Sequence, residues 1–179
     1  MAAPRQMTAH TLDALKGWPA PHALDFAAEL SESIPGANLP VLSGTVVRLN
    51  ASGKFELGVG TSSVMPLFLF SNSDDPDVEN DGGDASTDKG VFVPITPSGK
   101  AMALVATGAY ELTSTEFVAD TYAPNDALTA ATAGGNAGKL AKGTMYTDMI
   151  VGIVSRGQVD NGYGTDALAF WPHPVFPTP

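Results

Sequence analysis

Seven of the fifteen residues in "DDPDVENDGGDASTD", positions 74–88, are Asp or Glu, out of nineteen acids in the whole chain. Carboxylates at this density suit one chemistry above others, the ligation of a hard cation through oxygen. Counted from Asp77, acids stand at positions 1, 3 and 5 (Asp77, Glu79, Asp81), Gly82 at position 6 and Asp88 at position 12, as in a twelve-residue calcium loop. The pattern then departs: position 8, normally apolar, is Asp84, the last ligand is Asp where a longer Glu is expected, and neither flank has a helical period. The stretch reads as a hydrated loop, its like charges held apart by water, which marks an end of the domain that faces solvent. Asp77, Glu79, Asp81 and Asp88 are the residues a cation would use.

Other chemistries find less support. "NASGKF", "TPSGKA" and "NAGKLA" contain Gly-Lys, but none has the earlier glycine and the following Ser or Thr that complete a phosphate loop. His10, His22 and His173 sit among prolines and in terminal segments, with no nucleophile elbow and no paired-histidine motif. Glu56, Glu111, Glu116 and Asp120 lie on or beside expected strands and are the carboxylates that glycoside chemistry could pair. Solvent-face acids of strands look the same. The reading is that the protein is not an enzyme and holds no cofactor. With no cysteine, disulfides and zinc-thiolate sites are excluded.

The elements around these residues are mostly strands. Gly and Pro supply 19 and 14 positions, and charged residues only 16%, which suits a β-rich fold with frequent turns. In "GTVVRLNASGKFELGVG" apolar residues alternate: Val47 and Leu49 share one face, then Phe55, Leu57 and Val59 another. Asn50 to Gly53 form the turn between them. "VFVPITPSGKAMALVATG" repeats the design, with "PSGK" as its turn. Further strands are expected in 64–70, 109–119, 148–154 and 166–171, with a loose hairpin over "NDALTAATAGGNAGKLAKGT". Seven to nine short strands of this kind predict a small, mainly antiparallel barrel or sandwich.

The ends differ from the middle. Residues 1–40 read as an arm with a helix from about Pro21 to Ser31, its apolar stripe being Leu24, Ala27, Ala28 and Leu30, and a shorter helical turn over Thr11 to Lys16. The β domain follows over 41–171, with the acidic loop at 71–90. A Pro-rich tail, 172–179, should not run as a central strand. Apolar side chains that could anchor the arm and tail to a partner are Leu12, Leu15, Trp18, Leu24, Phe26 and Leu30, and Trp171, Val175 and Phe176. The formal net charge of -10, with Lys and Arg scattered singly, argues against direct nucleic-acid binding and for either solubility or a basic protein partner. No apolar run approaches a membrane span, so no membrane association is expected, and the start lacks a signal-peptide pattern, which points to synthesis in a cytosol.

The order "SGTVVRLNASGKFELGV", "MPLFLFSNSDDPDV", "LVATGAYELTSTEF", "YAPNDALTAA", "GKLAKG" and "DMIVGIVSRG" resembles the head decoration, or cement, proteins of tailed bacteriophages. The likeness is carried by the strand pair around Leu104 to Leu112, by Asn125 to Leu128, by the turn Gly138 to Leu140 and by Ile150 to Val154. It implies a barrel or tulip-like β domain on the outside of the virion capsid, made in the host cytoplasm. It also implies a structural role: binding across major capsid protein subunits, as a dimer or trimer, and resisting pressure from packaged DNA. The C-terminal tail and the acidic insertion have no counterpart in that pattern. Readings from other classes are a tail-tube or adaptor protein, and a calcium-dependent carbohydrate-binding β domain.

Overall fold

The computed structural model describes residues 12–16, 25–38, 41–42, 44–59, 64–70, 100–104, 111–160 and 166–178; of 12–16, 25–27, 70 and 100–104 it describes the backbone alone. The strands are β1 (Leu12–Lys16), β2 (Asp25–Glu29), β3 (Val46–Leu49), β4 (Phe55–Leu57), β5 (Leu67–Phe70), β6 (Lys100–Leu104), β7 (Glu111–Ser114), β8 (Ala127–Ala130), β9 (Leu140–Lys142), β10 (Ile150–Asp160) and β11 (Asp166–Val175). They form two antiparallel sheets, one ordered β1-β7-β11-β10-β8-β9 and a smaller one ordered β2-β6-β5-β3-β4. The mainly β class is as expected. Among the described residues there is no α-helix, and neither sheet order returns to its first strand, so the ladders are open where a closed barrel was one expectation.

Local chemistry explains the β3–β4 hairpin. Asn50 Oδ1 accepts the N–H groups of Ser52 (2.9 Å) and Lys54 (3.0 Å), and Gly53 takes the positive φ (72°) that lets the chain reverse. Val47 then faces Leu57, and Leu49 faces Phe55. Period two also divides neighbours between cores. Val46 and Phe68 enter a cluster with Leu112, Leu128, Leu168 and Phe170, while Val47, Phe55, Leu67 and Leu69 join a second cluster on the opposite face of the smaller sheet. Phe68 and Phe170 meet across the two sheets with ring centroids 5.4 Å apart.

Of the helix expected from Pro21 to Ser31, Pro21 to Leu24 lie outside the described residues, and from Asp25 the chain is instead the strand β2, which pairs with β6 from Asp25↔Leu104 to Glu29↔Lys100. Its apolar spacing serves either period, since Phe26, Ala28 and Leu30 also alternate. A helix this short is marginal in isolation, whereas the β6 edge satisfies the backbone directly. Ala28 and Leu30 are buried, and with Ile34 and Val41 they cover the second cluster. Of the helical turn expected over Thr11 to Lys16, Leu12–Lys16 is likewise a strand, β1, paired with β7, and Thr11 lies outside the described residues.

β11 continues past residue 171 through Pro172 and Pro174. Both of its neighbours pair with it at Leu168–Phe170; beyond that, among the described residues, the pairing is with β10, and an extra residue of β11 bulges between Pro172 and Val175. Proline lacks the N–H that a two-sided ladder needs, so it falls where only one side is used.

The sheets are joined where Val46 donates to the Gly138 carbonyl (2.8 Å), Gly58 donates to the Val46 carbonyl (2.8 Å) and Gly138 donates to the Ala131 carbonyl (2.9 Å). Both glycines have positive φ, 76° and 84°. A Cβ on Gly138 would stand 2.6 Å from Thr45 Cγ2 and 2.9 Å from the Val46 carbonyl oxygen, while one on Gly53 would meet nothing. Gly138→Ala should therefore lose about 2–4 kcal/mol, combining left-handed backbone strain with a clash, and Gly53→Ala only about 1 kcal/mol from strain. Equal losses for the two in urea denaturation would refute this account of the joint.

Candidate functional site

The carboxylates that sequence raised for acid–base chemistry are engaged separately. Glu56 accepts from Arg48 Nη2 (2.8 Å) and Asn50 Nδ2 (3.1 Å). Glu116 lies 3.7 Å from Lys139 Nζ, and exposed Asp120 caps the Thr121 N–H at 2.6 Å. Glu111 is 1% exposed, on the outer face of the larger sheet. Glu56 and Glu116 line adjoining lobes of one cleft, each beside its own cation, and Glu111 and Asp120 line neither lobe.

A bulge in β10 explains how Glu111 is accommodated. From Val154↔Phe170 to Gly157↔Ala169, three steps along β10 match one step along β11. Gly157 makes this possible with φ 83°, and a Cβ there would stand 2.8 Å from the Tyr122 carbonyl oxygen. The extra length turns both Ser155 and Arg156 toward Glu111. Ser155 Oγ donates to Oε1, while Arg156 Nε and Nη2 donate to Oε1 and Oε2, each at 3.0 Å. A forked guanidinium matches a carboxylate in shape and charge, so the burial is compensated. These contacts tie β7 to β10 across the outer face.

The surface that can act is on the same face, further along the strands. Phe170 enters the core, so Trp171 next to it points outward. It lies directly opposite Ile153, which lies opposite Ala127. Ala127 and Ile153 are half-buried, and Trp171 is 37% exposed. Whereas the β7 side of this face is closed (Thr113, Ala167 and Ala169 are all 0% exposed), the Ala127–Ile153–Trp171 row is open. Val175 and exposed Phe176 continue it, and the tail is tied down by Thr178, whose N–H and hydroxyl both donate to the Tyr146 carbonyl (3.0 and 3.3 Å). Tyr146 itself has φ 66° and is 62% exposed, at the top of a turn where Asp148 caps the Thr144 N–H (2.7 Å). A row of Ile and Trp beside Phe and Tyr is the composition of an interface core.

Of the anchors expected from sequence, Trp171, Val175 and Phe176 belong to this surface. Leu30 is fully buried in the chain's own second cluster. Leu12, Leu15 and Phe26 lie on the edge strands β1 and β2, of which the backbone alone is described, and Trp18 and Leu24 fall outside the described residues. So does the acidic loop with Asp77, Glu79, Asp81 and Asp88; among the described residues no group of three acids or histidines could hold a metal. Sequence reasoning missed Ile153 and Tyr146. Ile153 is hidden in an apolar run and is revealed only by register, whereas Tyr146 had a signal, a lone aromatic in the turn-rich "KGTMYTD". Comparison with protein families, with curated proteins and with solved structures finds no match to this chain.

Two outcomes follow from this face. Arg156→Ala leaves Glu111 buried without its forked partner and should lower stability by about 2–4 kcal/mol, most of it recovered by adding Glu111→Gln; an additive double variant in denaturant titrations would disprove the coupling. Burial first, then the charge of Asp120, pushes the Tyr122 phenol up to about 12. A pKa raised by folding contributes stability below the unfolded value of about 10, and that contribution is lost as pH rises through about 12. Melting curves across this window should fall more steeply for the wild type than for Tyr122→Phe.

Proposed function

We propose that this protein is a non-enzymatic structural component of a virion, a decoration protein that binds the outer surface of a tailed-bacteriophage capsid and stabilises it across major capsid protein subunits. The observation that carries the reading is the open Ala127–Ile153–Trp171 row with exposed Phe176 and Tyr146, an aromatic surface on a sheet, with no reactive constellation beside it among the described residues. The resemblance in strand order supports the choice of partner, and within this reading the two sheets make up the tulip-like body of such proteins. The net charge of -10 favours a basic receiving surface and disfavours contact with packaged DNA. Self-association as a dimer or trimer would multiply weak contacts on the lattice.

Co-sedimentation with undecorated phage capsids tests this. Wild-type protein should saturate at a fixed ratio to the capsid subunit, and Trp171→Ala should weaken binding by about 2 kcal/mol or more, about thirtyfold, with its melting temperature little changed. No saturable binding by the wild type, or wild-type affinity in the Trp171 variant, would sink the assignment of this surface.

A further inference from the structure

The cleft that holds Glu56 and Glu116 shares no residue with the Trp171 row. Its two lobes measure about 430 and 180 Å³, and Asn38, Leu57 and Ala137 line both, so they form the passage between them. The larger lobe adds apolar walls from Ile34, Pro35 and Ala133. The smaller adds Val41 and Leu42, with Lys139 and Glu116 beside them. Mostly apolar walls with a few polar groups, at this size, are the makings of a small-molecule site.

Lys139 differs from the other described cations. Arg48, Lys54, Lys142 and Arg156 each hold a carboxylate, at 2.8, 2.6, 3.2 and 3.0 Å, whereas Lys139 Nζ stands 3.7 Å from Glu116, beyond hydrogen-bonding distance. Its charge is matched, but among the described residues its N–H donors have no acceptor. The Lys139 side chain is 35% exposed and that of Glu116 only 4%, so a guest entering the lobe meets the ammonium first. At the passage, Asn38 Nδ2 gives one hydrogen to the Gly134 carbonyl (2.7 Å), and the amide has a second to donate.

These groups select the guest. One ammonium with a carboxylate behind it suits a single negative charge. A phosphate dianion would face Glu116 without a second open cation, because Arg48 in the larger lobe is spent on Glu56 (2.8 Å) and the Leu57 carbonyl (3.2 Å). A basic guest finds Glu116 buried and Glu56 already paired. Neither lobe is lined by an aromatic ring, which disfavours sugar stacking. An acid with an aliphatic body remains. The net charge of -10 opposes it from a distance, but that field is screened within about 8 Å at physiological salt, so contact decides.

We propose that this cleft binds an aliphatic monocarboxylate, whose carboxylate accepts from Lys139 Nζ and Asn38 Nδ2 while its chain runs past Leu57 into the larger lobe. The same chemistry is offered by a free acid and by the C-terminal carboxylate of a polypeptide with apolar last residues. The site is independent of the capsid reading and stands or falls without it.

The test follows amide shifts of the isotope-labelled protein during titration with octanoate, with n-octanol, and with an apolar hexapeptide whose C-terminus is either free or amidated. Octanoate should saturate with a Kd of about 1 mM and move the amides of Asn38, Ala137 and Lys139. Octanol should bind at least about tenfold more weakly. Lys139→Met should lose at least about tenfold in affinity and Lys139→Arg should keep most of it, with melting curves showing that each variant is folded; if Lys139→Met is not, octanol and Lys139→Arg decide. Saturation by octanoate but not by the peptides assigns the site to a free acid, and saturation by the free-ended peptide but not the amidated one assigns it to a chain terminus. Absence of saturation by both acids, octanol binding as tightly as octanoate, shifts centred on other residues, or wild-type affinity in Lys139→Met would each overturn the site.

Discussion

The contact of Gly58 with Gly138 is the constraint on which the two-sheet arrangement depends. Here β3 and β4 of the smaller sheet reach the loop between β8 and β9 of the larger one, and a backbone hydrogen bond passes from one sheet to the other, from the Val46 N–H to the Gly138 carbonyl. Such bonds need the chains at main-chain distance, and at Gly138 a side chain would collide with backbone on the far side. Positive φ at both positions turns each chain away after the crossing. Ser114 adds a second tie, donating from the larger sheet to the Gly44 carbonyl at 3.2 Å. With these fixed, the core side chains have one register in which Phe68 can meet Phe170.

Polar groups are distributed in a way that keeps this frame stiff. Each Lys or Arg side chain that is described has a carboxylate within 4 Å: Arg48 with Glu56, Lys54 with Glu29 and Glu32, Lys139 with Glu116, Lys142 with Asp126 and Arg156 with Glu111. Most are partly exposed and each adds little by itself. Glu111 and Glu116 are buried; at Glu111 the burial makes the guanidinium a requirement, and the Gly157 bulge exists in the position that delivers it. Thr113 and Thr115 show the opposite, buried hydroxyls without a partner, and we have no physical account of them.

How much of this could be read beforehand follows from whether the cause was local. The β3–β4 hairpin was legible because Asn50 and Gly53 carry the turn in their own chemistry, and the β8–β9 pair because glycine and asparagine interrupt two short β-prone runs. β10 and β11 were legible as apolar runs, though not their full lengths. β2 was misread because its spacing fits both periods and the deciding partner, β6, lies about seventy residues further on. Pro172 and Pro174 were read as ending a strand, yet β11 runs through both, paired with β10 on either side of a bulge. The same division holds for the surface: Trp171, Val175 and Phe176 stood out by type, but Ile153 needed the register, and the pairing of Glu111 with Arg156 is invisible along the chain.

The distribution of charge and of aromatic surface bears on what kind of partner this fold can accept. If the described cations are matched internally, the acids that exceed them set the long-range field, and a partner approaches down a negative potential before any apolar contact forms. The field can steer but cannot hold, because it is screened within about 8 Å at physiological salt. Retention of any partner must then come from desolvated area, and on the larger sheet the open apolar area among the described residues is the row of Ala127, Ile153 and Trp171. The alternation that sends Phe170 into the core turns Trp171 outward, and the same strand then runs on through Pro172 and Pro174 against β10. One strand therefore carries both the core contact with Phe68 and the exposed ring beside it, so a one-residue slip of β11 would lose the core and the aromatic row together.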